Sequence, residues 1–177
     1  MRLSMLFTNP SEEKLTIRRA KVADRVELQI ICDAWIEKGF FDGETLPSDY
    51  IEQCLTKGDL PPVSNAAQEN YGLYVVEFEL KVMGLFDLYD GYPQDGIAWI
   101  SLFLLDIESR GMGFGKSIIN KITDECLQHG FESLALAVSM NNRVALKFWI
   151  QNGFKEILGI YGDLKYPNLG LKKTLSH

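Results

Sequence analysis

A chain of 177 residues with 46% hydrophobic content has the length for one domain with a full core, and its formal charge of -6 argues against a general binder of nucleic-acid backbones. Two histidines and three widely spaced cysteines, Cys32, Cys54 and Cys126, with no CxxC pair, argue against a metal site and a disulfide framework. The apolar run before Asn9-Pro10 is too short for a signal peptide, and nothing approaches the roughly 18 apolar residues of a membrane span, so a soluble cytoplasmic protein is expected.

Residues 1–13 read as an N-terminal arm, because Asn9-Pro10-Ser11-Glu12-Glu13 is turn chemistry, and 14–177 as a single domain without repeat or linker. Leu15-Thr16-Ile17 opens the first strand. Asp24 then caps a helix whose Leu28, Ile31, Cys32 and Trp35 recur at helical spacing, with an end expected near Lys38-Gly39. Phe40 to Pro47 reads as loop, Ser48 caps a short helix carrying Tyr50, Ile51 and Leu55, and Asp59 to Asn70 reads as irregular chain.

The pattern then turns to β. Leu73 to Phe78, Val82 to Leu88 and Ala98 to Leu105 are the second, third and fourth strands of an antiparallel meander, the fourth apolar at almost every position and so expected in the sheet interior. Ile118, Ile119, Ile122 and Cys126 mark a helix between Lys116 and His129. Leu134 to Val138, the fifth strand, is expected parallel to the fourth by a right-handed crossover. A helix from Asn141 or Asn142 to Gly153 and a last strand pair, Phe154 to Tyr161 and Leu169 to Leu175, complete a mixed α/β fold with helices on both faces of the sheet.

Between the fourth strand and its helix lies Arg110-Gly-Met-Gly-Phe-Gly-Lys116. A Walker A loop needs glycine where Arg110 stands, and a dinucleotide fingerprint needs glycine where Lys116 stands. The spacing that does fit is Arg-x-x-Gly-x-Gly at Arg110, Gly113 and Gly115. Glycines allow close backbone approach, and the N–H groups of a helix's first turn suit a pyrophosphate. Alone, such a turn reads equally well as a tight bend.

Downstream, Asn142, Ala145, Phe148, Trp149, Gly153 and Phe154 follow the spacing Asn-x-x-Ala-x-x-Phe-Trp-x-x-x-Gly-Phe. With these two motifs in order, the stretch resembles the acetyl-CoA-binding core of the GCN5-related N-acetyltransferase (GNAT) family. The resemblance implies the acyl-CoA N-acyltransferase fold: a mostly antiparallel sheet with a parallel pair formed by the fourth and fifth strands. It implies acetyl-CoA as co-substrate, no metal, and direct attack of an amine on the thioester. The backbone amides of Gly111, Met112, Gly113, Phe114, Gly115 and Lys116 would then hold the pyrophosphate, with Arg110 opening the loop. Backbone groups of Phe103 and Leu105 would pair with the pantetheine arm, Asn142 would contact it and Phe148 would pack beside it. Asn142 also reads as a plain helix N-cap.

Many members of that family carry a tyrosine as general acid where this chain has Trp149, whose indole N–H is no useful proton source. Tyr161, or Tyr166, is a replacement candidate, and Asp87 and Asp90 are candidates for the base. Trp35, Phe40, Phe41 and Tyr89 are the aromatic candidates for acceptor binding, in an acidic neighbourhood that suits a cationic amine of a small molecule or peptide. No nucleic-acid or membrane partner is expected, and a homodimer is left open. The alternative function is a non-catalytic acyl-CoA sensor or regulatory module.

Overall fold

The computed structural model describes residues 2–8 and 13–176. The turn read at Asn9 to Glu12 lies outside the described residues. In chain order the elements are β1 (Leu15–Arg19), α1 (Arg25–Asp33), α2 (Lys38–Asp42), α3 (Tyr50–Thr56), β2 (Tyr71–Phe78), β3 (Lys81–Asp90), β4 (Ile97–Ile100) and β5 (Phe103–Leu105). They continue with α4 (Phe114–Gln128), β6 (Ser133–Ser139), α5 (Arg143–Gln151), β7 (Glu156–Tyr161) and β8 (Asn168–Thr174). One sheet runs β1-β2-β3-β4-β6-β8-β7, with β5 paired to β3 beyond the end of β4. Its pairs are antiparallel except β4 with β6.

Strand alternation sorts the apolar side chains into two cores, one on each face. Leu73, Val75 and Leu85 meet Leu28, Ile31 and Cys32 of α1 and Ile51 and Cys54 of α3. On the other face Tyr74, Phe86 and Leu88 meet Ile118, Ile119, Ile122 and Cys126 of α4, together with Trp149 of α5. The start of the chain joins this second core: a 3-10 turn at Arg2–Met5 buries Leu3, whose carbonyl accepts from Tyr74 Oη at 3.0 Å.

Two expectations need correction. The predicted fourth strand is two strands, so the parallel partner of β6 is the short β4, and β5 belongs to β3 alone. The cause is a one-residue bulge. Tyr89 pairs with Trp99 and Phe86 with Phe103, so three steps along β3 are matched by four along its partner, leaving Ser101 as the extra residue. The bulge reverses the alternation: Ala98 and Ile100 face the α4 core, but Leu102 and Leu104 face the α1 core and Phe103 and Leu105 take their place.

The first helix also ends earlier than its apolar spacing suggests. It stops at Asp33, and the chain resumes as α2, capped by Gly43 at φ +86° rather than by Gly39. At the far end of α2, Ser139 Oγ and Asn141 Nδ2 both donate to the Phe41 carbonyl, at 2.9 and 3.3 Å. That tie brings α2 against the end of β6.

The β3–β5 contact is tight enough to test. A Cβ on Gly84 would lie 2.7 Å from the Leu104 carbonyl oxygen and 2.6 Å from the Leu105 side chain. Backbone cannot step aside, so Gly84→Ala should lower stability by about 1–3 kcal/mol in urea unfolding. A loss within error would mean that β5 can move away from β3.

Candidate active site

Where β4 ends, the sheet opens. Ile100↔Leu136 is the last β4–β6 pair; beyond it β5 stays on β3 while β6 continues to Ser139 without a partner on that side. Residues 102, 104 and 106 lie opposite residues 87, 85 and 83, as shown by Asp87 N donating to Leu102 O at 3.1 Å and Asp106 N to Met83 O at 2.8 Å. In an antiparallel ladder the intervening residues point their backbone groups the other way, so those of Phe103 and Leu105 face the opening.

The bulge is held by a buried carboxyl. Asp87, 1% exposed, accepts at Oδ1 from the backbone N–H of Ser101 at 2.7 Å and of Leu102 at 2.9 Å, and at Oδ2 from Tyr71 Oη at 3.3 Å. Burial pushes this carboxyl up to about 8, against the opposing pull of its backbone and tyrosine donors.

A groove with a cavity volume of about 980 Å3 runs through the opening. At one end is the glycine turn. Gly111 and Gly113 have φ of +73° and +88°, and a Cβ on either would meet nothing within 4 Å: both face open space. Gly115 has a different reason to be small, since a Cβ there would lie 2.9 Å from the Phe148 ring. Arg110 Nε donates to the Leu105 carbonyl at 2.9 Å, while its Nη2 is buried without a hydrogen-bond partner among the described residues. A buried donor in that state favours an acceptor-bearing ligand. Asn142 caps α5 through Oδ1, which accepts from Ala145 N at 3.0 Å, and it also lines the groove.

Another part of the lining is aromatic and acidic. Trp35, Phe41, Leu46 and Tyr50 form it with Glu37, Asp42 and Asp59. Tyr50 Oη donates to Asp59 Oδ2 at 2.8 Å, and burial drives the Tyr50 hydroxyl far above its ordinary range, so it stays a donor. Asp42 pairs with Lys38 at 3.3 Å through Oδ2, while its Oδ1 is buried without a partner among the described residues. The groove's lining residues therefore include one with an unmatched donor, Arg110, and one with an unmatched acceptor, Asp42.

Of the residues expected from sequence, the groove gathers Phe103, Leu105, Arg110, Gly111, Gly113, Gly115, Lys116, Asn142, Phe148, Trp35 and Phe41. Met112 is 67% exposed on the turn, and Phe114 is turned back against Phe78, with ring centres 5.0 Å apart. The others lie elsewhere. Tyr89 is buried beside α1, its hydroxyl accepting from Ala67 N at 3.1 Å. Phe40 is 79% exposed outside the groove, and Asp90 is ion-paired with Arg2. Tyr161, on the edge strand β7, lies close above Gly170 and outside the groove. Trp149 packs against Phe103, Phe148 and Phe154 with centroids 5.0 to 5.3 Å away, a core aromatic at the groove's floor.

The groove's architecture has counterparts. The model of the acetyltransferase (GNAT) family matches residues 29–154. The chain belongs to the GNAT acetyltransferase family. This GNAT domain is therefore an acyltransferase of a family that uses acetyl-CoA. Among solved structures, an acetyltransferase from Thermus thermophilus is similar over 92% of this chain and 97% of its own, at 18% identity and TM-score 0.72. A GCN5-related N-acetyltransferase from Kribbella flavida matches 93% of this chain and 100% of its own, at 22% identity and TM-score 0.68. Spermidine N-acetyltransferase from Vibrio cholerae, in complex with CoA and spermine, matches 91% and 95%, at 18% identity and TM-score 0.67. At these identities the likeness establishes the GNAT fold. No curated protein sequence matches the chain. Among the described residues no helix is long and apolar enough to cross a membrane.

Tyr50 and Asp59 escape a reading of the sequence. Helical spacing places Tyr50 only in the apolar stripe of its helix, and Asp59 sits in a Gly-Asp-Leu-Pro-Pro turn that carries no chemical signature of its own.

The buried Asp87 carboxyl has a measurable consequence for stability. Folded, it keeps its proton up to about pH 8; unfolded, it loses it near 3.8. Between those values the folded state binds more protons, so stability falls as pH rises. Relative to Asp87→Asn, the parent should lose melting temperature from about pH 4 to pH 8. Parallel melting curves across that range would contradict the assignment.

Proposed function

We propose that the protein transfers an acetyl group from acetyl-CoA to the primary amine of a cationic small molecule or peptide, by direct attack of the amine on the thioester. The observation that carries this reading is the single groove that joins the glycine turn, the strand opening and the Asp42–Asp59 wall. A cytoplasmic location fits the three unpaired, buried cysteines.

The residues present fit coenzyme A. Gly111 and Gly113 leave open space beside a helix N-terminus, and Arg110 offers an unmatched N–H. The backbone from Gly111 to Lys116, through Met112, Phe114 and Gly115, is assigned to the pyrophosphate. Phe103 and the N–H of Leu105 are assigned to the pantetheine arm, because the Leu105 carbonyl is already taken by Arg110. Asn142 and Phe148 flank that path. When bound, acetyl-CoA supplies the activated acetyl thioester.

The acceptor's own chemistry asks for a carboxylate. An alkylamine with a pKa of about 10.4 is protonated at neutral pH and must shed a proton before it can attack. Asp59, held by Tyr50, is our candidate to receive it, with Asp42 and Glu37 drawing the cation in and Trp35 and Phe41 packing against its carbon chain. Trp149 is enclosed by three phenylalanines and donates no proton, so solvent in the groove protonates the departing thiolate.

Acetyl-CoA should raise the melting temperature of the parent protein, and Gly113→Val, which fills the open side of the turn, should abolish that rise. No rise at millimolar ligand would overturn the cofactor assignment. Thiol release should require a cationic amine, and Asp59→Asn should slow it roughly 100-fold while the thermal response to acetyl-CoA persists. An unchanged rate would remove Asp59 from the chemistry; no release with any amine would favour a sensor.

A further inference from the structure

Among the described residues Asp87 is the one buried carboxyl, and it does not line the groove. Two of its three hydrogen bonds are nevertheless placed at the irregularity that creates the groove. Ser101 is the extra residue of the bulge, and Leu102 is the next one; both would lack a ladder partner for their N–H groups at this point. One oxygen of Asp87 takes both, at 2.7 and 2.9 Å. The same residue's backbone N–H donates to Leu102 O, so side chain and main chain grip the bulge together.

We propose that Asp87 is a positioning residue of the acyl-transfer site: by accepting the Ser101 and Leu102 N–H groups it fixes the bulge that turns the backbone of Phe103 and Leu105 toward the groove. The proposal rests on the acetyl-transfer reading for its functional consequence, and on geometry alone for the bulge. Without the bulge, regular alternation through Ser101 would put Leu102 and Leu104 on the face of Ala98 and Ile100, and the backbone groups of Phe103 and Leu105 would turn back toward β3. The aromatic floor would also change, because Phe103 stacks on Phe148 with centroids 5.9 Å apart only on its present face.

The surroundings of the carboxyl tie it to the acceptor wall. Tyr71 of β2 donates to it, Cys54 and Tyr50 of α3 lie next along the same buried polar cluster, and Tyr50 ends on Asp59. The negative charge of Asp59, beside this cluster, disfavours ionisation of Asp87. A change of charge at Asp59 is therefore felt at the bulge.

The test follows the amide signals of Ser101 and Leu102 by NMR in the ligand-free protein, with acetyl-CoA affinity by calorimetry and amine-dependent thiol release beside it. In the parent, both amides should be protected from exchange, and their proton shifts should titrate together with one midpoint. Asp87→Asn keeps an accepting oxygen without the charge: protection should persist, the titration should vanish, and turnover should stay within about threefold of the parent. Asp87→Leu removes the acceptor: both amides should lose protection, and the turnover number should fall about 100-fold, the scale of a misplaced reacting group, while KM for the amine changes little.

An Asp87→Leu protein with a native spectrum, protected amides and parental turnover would overturn the proposal. So would a titration of the two amides that survives in Asp87→Asn, which is decisive even if Asp87→Leu does not fold. A parent that binds no acetyl-CoA but shows the titration would retain the bulge clamp and sink the acetyl-transfer reading, which separates the two failures.

Discussion

The groove depends on a competition for backbone hydrogen bonds at Ser101 and Leu102. In an uninterrupted sheet these two N–H groups would face either β3 or β6, and the sheet would close. One carboxyl oxygen from β3 satisfies both, so the strand accommodates an extra residue without leaving these two donors unpaired. From that point β5 and β6 diverge. The walls, the floor and the exposed edge of Phe103 and Leu105 all follow from the divergence.

The rest of the site is arranged around it by packing. Gly115 is small because α4 and α5 approach each other so closely that Phe148 lies against its Cα. Phe103, Phe148, Trp149 and Phe154 form a run of edge-to-face and stacked rings beneath the groove. Such contacts reward definite ring positions more than apolar area alone does. A tryptophan in this run gains burial and loses acid chemistry.

Much of this is legible in the chain. The glycine spacing from Arg110 to Gly115, and Asn142 with Phe148 and Trp149, locate one wall before any coordinates, because turns and caps are local and their chemistry shows in adjacent residues. The bulge is visible only as a lone polar residue, Ser101, inside Trp-Ile-Ser-Leu-Phe-Leu-Leu, and apolar on both sides reads the same whether a strand is broken or whole. The aromatic, acidic wall is harder. Tyr89 and Tyr50 are both tyrosines near the sheet, and only strand alternation and the path of α3 decide that one is sealed under α1 while the other reaches the groove. Asp59 and Asp87 are brought to one cluster from 28 positions apart, a proximity that no local pattern encodes.

The Phe41 carbonyl, bound by Ser139 and Asn141, has a thermodynamic consequence. One backbone oxygen joins α2, whose Phe41 and Asp42 line the groove, to the strand end that leads into the Asn142 cap. Work done on that oxygen from either side is one quantity, counted once. If two ligands each shift that oxygen, the factor by which one changes the affinity of the other is the same in both directions.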